Sequence, residues 1–360
     1  MNRTYIIAEA GVNHNGSLEL ALKLVEEAAK AGADAVKFQT FITENTISKN
    51  AAKAEYQKKT TDQKESQLEM VKKLELTYED FKVIQKHCEK NKITFLSTGF
   101  DIDSIEFLDK TLNVPYIKLP SGDVNNAPLV LKAAQTGKDI FLSTGMCTLE
   151  DIHNALAIIY YGYTRKNTIP KDFEEVIKIY QTEDISILKE KVTILQCTTE
   201  YPTPVEDINL KTLLTLAKEF HTKVGLSDHS QSPLTGSLAV ALGATVIEKH
   251  FTLDKTMEGP DHQASLEPFE LKEMIDNIRF TERALGQSNK VIADSEKKNI
   301  LIARKSIVAN KIIKKGEYFT PENLIIKRPA TGINPLFYWD YLGKKALNDY
   351  KEDEIIKNEK

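Results

Sequence analysis

An α/β chain whose eight strands close into a (β/α)8 barrel, followed by a small second domain, is the fold this sequence predicts, on three observations. Eight short β-rich runs are each followed by helical periodicity. The alternation is kept up over about 280 residues, which calls for parallel strands. Polar residues gather at the C-terminal ends of the runs, where barrels of this kind carry their chemistry.

The runs are residues 5–11, 35–41, 94–100, 116–119, 139–144, 192–198, 223–227 and 245–251. The first connection shows why helices lie between them. Ser17 can cap, Leu18, Ala21, Leu22, Val25 and Ala28 form one apolar face, and Gly32 stops the helix. No G-x-G-x-x-G follows the first run, which argues against a dinucleotide fold. The long stretch 42–93 is expected to hold helices and part of a substrate cover. The barrel domain is assigned to 1–286, a polar linker to 287–302, and a second domain with β-like runs at 305–309 and 324–327 to 303–360. So small a domain has a marginal core of its own and needs to dock on something.

Composition excludes several classes. With 41% hydrophobic and 28% charged residues among 360, the chain is neither disordered nor fibrous. No apolar run nears the roughly 18 residues that cross a bilayer, so no membrane role and a cytoplasmic location are expected. A net charge of −4 without a basic stripe speaks against nucleic acid. Cys88, Cys147 and Cys197 lack metal-type spacing and read as reduced core residues.

The strand ends are Glu9 with Asn13-His14-Asn15, Lys37 and Gln39, Ser97-Thr98, Lys118 and Ser121, Ser143-Thr144, Thr198-Thr199, Ser227-Asp228-His229 and Glu248-Lys249-His250. His229 and His250 close neighbouring strands and would share one mouth, where two neutral imidazoles can hold a divalent metal. His87, His153 and His221 fall on helices and read as surface groups. Lys37 and Lys118, with hydroxyls from Ser97, Thr98, Ser121, Ser143 and Ser227, are the mix that holds a phosphate and a carboxylate. Either lysine is alternatively a Schiff-base nucleophile. Glu9 interrupts an apolar strand, so its carboxylate must be paired or functional, and general base is a natural role.

The strings EAGVNHNG at 9–16, GADAVKFQTF at 32–41, KLPSGDVNN at 118–126, LSTGM at 142–146, YPTP at 201–204, GLSDHS at 225–230, EKHFT at 248–252, GPDHQASLEP at 259–268 and KRPATGI at 327–333 together resemble the sialic acid synthases. The resemblance covers the whole chain. It implies a TIM barrel followed by an antifreeze-like (SAF, β-clip) domain, a domain-swapped homodimer, and a divalent metal on His229 and His250, Mn²⁺ foremost, with Mg²⁺ or Co²⁺ as substitutes. It also implies condensation of phosphoenolpyruvate with an acetamido-hexose, with C–O cleavage through a tetrahedral intermediate. Glu9 would position the water. Lys37, Thr98, Lys118, Ser121, Ser143 and Ser227 would contact phosphate and carboxylate; Gln39, Tyr201, Glu248 and Asp261 would lie near the sugar. Arg328 would reach the partner's active site. FQTF, CTTEYPTP and GPDHQASLEP are most similar to the branch that makes N,N′-diacetyllegionaminate from 2,4-diacetamido-2,4,6-trideoxy-mannose; the alternative acceptor is N-acetylmannosamine. Phe38 and Phe41, where the neuraminate branch has histidines, suit a less hydroxylated sugar. Two departures stand out: Gln196 where histidine is expected, and Thr199 where the neuraminate branch has asparagine. The segment 160–186 is longer than usual.

Overall fold

Eight parallel strands hydrogen-bond in sequence order and close on themselves. They are β1 (Tyr5–Gly11), β2 (Ala35–Thr40), β3 (Thr94–Gly99), β4 (Tyr116–Leu119), β5 (Asp139–Ser143), β6 (Val192–Cys197), β7 (Lys223–Asp228) and β8 (Val246–His250). This computed structural model describes residues 3–54, 57, 61–62 and 65–358. The chain divides into two compact units, Met1–Gly286 and Gln287–Lys360. The expected barrel is therefore observed, with strand boundaries within a residue of those read from the sequence.

Alternation along each strand sorts the side chains. Ile6, Ala8, Val36, Phe38, Ile117, Leu119, Ile140 and Leu142 point outward into the core shared with the helices. Ile7, Ala35, Leu96, Phe141, Leu195 and Val246 point inward and, with Tyr5 and Tyr116, fill the lower barrel. The Tyr116 and Phe141 rings stack there at 4.6 Å. This apolar plug removes water from below the polar layer above it. The helix Leu18–Ala31 starts and stops as its sequence demands: Ser17 accepts from the Leu20 amide, and Gly32 takes the left-handed φ of 90°.

Between β2 and β3 lie the helices Thr43–Thr46, Gln67–Lys72 and Tyr78–Lys90. Of the expected cover, positions 55, 56, 58–60, 63 and 64 lie outside the described residues. The long segment 160–186 continues the helix Leu149–Thr164 and adds the helix Phe173–Thr182, tied back by Tyr160 donating to Glu183 at 3.0 Å.

In the second unit, β9 (Ser306–Ala309) pairs antiparallel with β10 (Leu324–Lys327). Ile307, Ile313, Phe319, Leu324, Tyr350 and Ile356 are its chief core residues. Within the stretch read as a linker, Asp294–Ala303 is helical and buries none of its residues.

Candidate active site

Register decides which strand ends meet. Glu9 lies opposite Lys37 on β2 and opposite His250 on β8, Thr98 opposite Lys118, and Ser227 opposite Glu248. All of these point inward, one layer above the apolar plug. Lys37 Nζ is 2.7 Å from Glu9 Oε2 and donates to Thr98 Oγ1 at 2.9 Å. Lys118 Nζ is 3.0 Å from Glu248 Oε1, which also accepts from Ser227 Oγ at 2.8 Å. Glu248 Oε2 lies 3.7 Å from Lys37, so two lysines and two glutamates form one continuous buried network.

The two carboxylates differ in ionisation because their surroundings differ. Burial raises Glu9 to about 7; Lys37 opposes this and Glu248 adds to it. Burial also works against a charged Glu248, but Lys118, Lys37 and the Ser227 hydroxyl outweigh it and hold that group well below the usual carboxylate range. Glu248 is thus the fixed anion of the layer, and Glu9 is the carboxyl that exchanges a proton near neutrality. Lys37 is kept charged: burial opposes its charge, yet Glu248 and Glu9 raise it above the ordinary lysine value. Gln39 Nε2 approaches Glu9 Oε1 at 3.4 Å. Gly11, at φ 54°, turns the chain here in a conformation that L side chains rarely adopt, and a β-carbon on it would touch both groups at 3.4 Å.

His229 and His250 sit beside this layer with ring centroids 5.3 Å apart. His229 Nδ1 donates to the Thr198 carbonyl at 2.7 Å, which fixes its tautomer and leaves Nε2 facing the Tyr201 hydroxyl at 3.0 Å. His250 is held neutral, by burial first and then by His229 and Lys37. Its Nδ1 is buried without a hydrogen-bond partner, and Asp261 stands 3.8 Å away. Asp261 is itself raised to about 6 by burial. Among the described residues no three His, Cys, Asp or Glu side chains converge on one point. A neutral, buried, unsatisfied imidazole next to a second one fits a metal that takes its other ligands from water and substrate oxygens.

Across the mouth is a hydroxyl cluster. The Gly145 amide donates to Ser121 Oγ at 2.8 Å. Ser143 Oγ and Thr199 Oγ1 are buried with no hydrogen-bond partner, and a side chain on Gly145 would collide with Thr199 and lie 3.0 Å from Ser121 Oγ. Unsatisfied donors converging beside two lysines make a place for an anion. Thr199 was not among the residues expected here; its position at the end of β6 was the available signal.

Several expectations are corrected by which face of a strand a residue occupies. Ser97 points outward and shares a hydrogen bond with Thr40 at 2.7 Å, so it is not part of the mouth. Phe38 also points outward and stacks on Phe95, leaving only Phe41 near the site. Gln196 is on the outer face, donating to the Ile208 carbonyl at 3.2 Å. Lys249 is outward too, fully buried against Asp228 at 2.7 Å. Cys197, read as a core residue, faces the mouth with Sγ 3.8 Å from His229 Nδ1. Asn13 and Asn15 are braces: Asn13 Nδ2 donates to the Phe251 carbonyl and Ser265 Oγ at 2.9 Å, Asn15 Oδ1 meets His262 at 3.1 Å, and His262 meets Thr252 at 2.6 Å, which pins the loop that carries Asp261, while His14 Nδ1 accepts locally from the Gly16 amide. His87 and His153 pair with Glu26 and Glu219 on outer helices, and His221 is a left-handed helix cap, as expected. Arg328 belongs to the second unit, where it follows β10, is exposed, and donates to the Ala303 carbonyl at 3.0 Å.

Comparison with known proteins follows the same lines. Residues 24–290 match the NeuB family and residues 304–360 match the SAF domain. The chain is 48% identical to the N,N′-diacetyllegionaminic acid synthase of Campylobacter jejuni subsp. jejuni serotype O:2, over 99% of this chain and 100% of that one. It is 42% identical to the protein of the same name from Legionella pneumophila subsp. pneumophila, over 92% and 87%. Among solved structures, the N-acetylneuraminic acid synthetase of Leptospira borgpetersenii serovar Hardjo-bovis, in complex with citrate, matches with a TM-score of 0.68 and 31% identity, over 83% and 90%.

Proposed function

The chain belongs to the NeuB family, and from that premise we propose that it condenses phosphoenolpyruvate with 2,4-diacetamido-2,4,6-trideoxy-mannose and water to give N,N′-diacetyllegionaminate and phosphate. The observation that carries the reading is one buried mouth in which two charged lysines and unsatisfied hydroxyls face a histidine pair. An anionic enol ester and an aldehyde sugar are the two partners such a mouth accommodates side by side. The named relatives that match over nearly the whole chain supply the choice of acceptor.

The roles follow from the geometry. Lys37 and Lys118 hold the phosphate and carboxylate of phosphoenolpyruvate, helped by Thr98, Ser121, Ser143, Thr199 and Ser227. His229 and His250 hold a divalent metal, Mn²⁺ or in its place Mg²⁺ or Co²⁺, whose chemistry when bound is to polarise the aldehyde of the open-chain sugar. C3 of phosphoenolpyruvate bonds to that aldehyde carbon as the C=O π bond breaks and its oxygen takes up a proton to become a hydroxyl, and water adds to C2. Glu9, poised near neutrality, orients this water and takes its proton. The tetrahedral centre then breaks its C–O bond to phosphate. Tyr201, Gln39 and Asp261 line the sugar side. A Schiff base on Lys37 is disfavoured because Glu248 and Glu9 keep its amine protonated, and a protonated amine does not attack a carbonyl.

Arg328 and the second unit complete the proposal. That unit leaves Leu336 and Trp339 exposed at 78% and 76%, apolar surface of the kind that docks on a partner. In a domain-swapped homodimer Arg328 would enter the partner's mouth.

Phosphate release from phosphoenolpyruvate, measured with Mn²⁺ and then after chelation, tests the reading. Release with the diacetamido sugar that chelation abolishes is the expected result. Preference for N-acetylmannosamine would move the protein to neuraminate synthesis. Release of no phosphate with either sugar, together with borohydride trapping of pyruvate on a lysine, would replace the reading with an aldolase.

A further inference from the structure

Beside the histidine pair is a cavity of about 270 Å³ whose two walls differ in chemistry. The wall toward the barrel axis is polar: Gln39, Tyr201, His250 and Asp261. Thr46, Ile47, Gln57, Val71 and Pro260 also line the cavity, and Val12, Phe41, Met70, Leu74 and Phe100 make an apolar wall. These come from the loops after β1, β2 and β3 and from the segment between β2 and β3, so the wall is independent of the catalytic strand ends. Val12, Phe41 and Leu74 form a small apolar cluster of their own, with Val71 and Phe100 packed against it. The Phe41 and Phe100 rings meet edge to face at 6.3 Å.

We infer that this apolar wall selects the acceptor, by receiving the end of the sugar remote from its aldehyde and favouring a methyl group over a hydroxyl there. The inference rests on the proposed reaction, which places the aldehyde carbon at the histidine pair. The remaining carbons of an open-chain hexose then extend away from the metal side, and the cavity is the space that opens there. Among the described residues, Thr46 and Gln57 are the polar side chains on the cavity's rim away from the axis; the face made by Val12, Phe41, Leu74 and Phe100 offers no hydrogen bond, and Met70 adds only a weakly accepting sulfur. A hydroxyl carried to that face gives up water and gains no partner, whereas a methyl group gains burial. An apolar pocket of this kind discriminates against an added hydroxyl by about 10- to 100-fold.

The test compares acceptors that differ at one carbon. Wild-type enzyme with Mn²⁺ is given 2-acetamido-2,6-dideoxy-mannose and N-acetylmannosamine, which differ only in the C6 hydroxyl, and kcat/KM is measured for each. A 10- to 100-fold preference for the 6-deoxy sugar is expected; parity, or preference for the hydroxylated sugar, overturns the inference. Val12→Thr, which changes shape very little, and Leu74→Asn put a polar group in the wall. At least one of them should narrow the ratio by about tenfold, mainly through KM, and an unchanged ratio in both overturns the inference. Calorimetric binding of the two sugars to the Mn²⁺-loaded protein is read in parallel. If no acceptor is turned over, the proposed reaction fails, while the binding ratio still decides the fate of the wall: tighter binding of the 6-deoxy sugar upholds it, and equal binding or no binding of either overturns it.

Discussion

Replacing Lys118 by methionine removes one cation from the buried layer and leaves its carboxylate partner behind. Lys118 Nζ and Glu248 Oε1 are 3.0 Å apart, with side chains only 6% and 3% exposed. At that separation and an effective dielectric constant of about 20, two unit charges attract by roughly 5 kcal/mol. Part of this survives the change, because Ser227 still donates to Glu248 and Lys37 is 3.7 Å away. Glu248 can also limit the loss by taking up a proton. A net destabilisation of about 3–5 kcal/mol is expected, the usual cost of orphaning one member of a buried pair. Adding Glu248→Gln removes the orphaned charge and should recover most of that loss. Both proteins should release no phosphate, since the anion site lacks a lysine in each. Urea unfolding followed by circular dichroism measures the stability arm. If Lys118→Met unfolds at the wild-type urea concentration, or if the double variant is no more stable than the single, the layer is not the tightly coupled network described here.

Glu9→Gln should leave the fold and metal binding intact and lower kcat by at least about 100-fold, as loss of a positioned proton acceptor does, whereas His250→Ala should lose both Mn²⁺ affinity and turnover. Metal titration beside phosphate release distinguishes the two, and normal activity in either variant refutes its role. In mild acid His14 and His262 work against the fold, because each is held down to about 4, mainly by burial, whereas Glu9 and Asp261, raised by burial to about 7 and about 6, take up protons in the folded state and offset them. Both histidines take up protons more readily unfolded than folded. Their contribution is therefore full above pH 6.5 and shrinks as pH drops from 6.5 toward 4, by roughly 3 kcal/mol for each at the limit. The histidine share is read by difference: the urea midpoint of His262→Gln should fall less than that of wild type between pH 6.5 and 4, and parallel profiles would contradict this. Arg328→Ala should leave the urea midpoint within about 0.5 kcal/mol of wild type, as an exposed substitution does, yet raise KM for an acidic substrate; unchanged kinetics would remove this arginine from the site.

The barrel was legible in the sequence because its cause is local. Apolar runs of strand length, a cap such as Ser17 and a stop such as Gly32 fix each element from its neighbours along the chain. Polar residues at strand ends likewise marked Glu9, Lys37, Lys118, His229 and His250 before any geometry was known. What the linear order could not supply was the face on which a residue falls and the partner it meets across strands. A shift of one position reverses the side-chain direction, so Ser97 faces outward while Thr98 touches Lys37, and Phe38 is core while Phe41 borders the cavity. Closure of β8 onto β1 sets Glu9 against His250, residues from opposite ends of the barrel sequence. That meeting, and the lysine and hydroxyl contacts that hold Glu248 ionised while burial raises Glu9, exist only once the sheet has closed and its lower half has filled with apolar side chains. Composition and pattern thus determined the architecture and the inventory of reactive groups. Only tertiary structure decided which of them share a dry, charge-coupled mouth, because field and desolvation depend on distances through space.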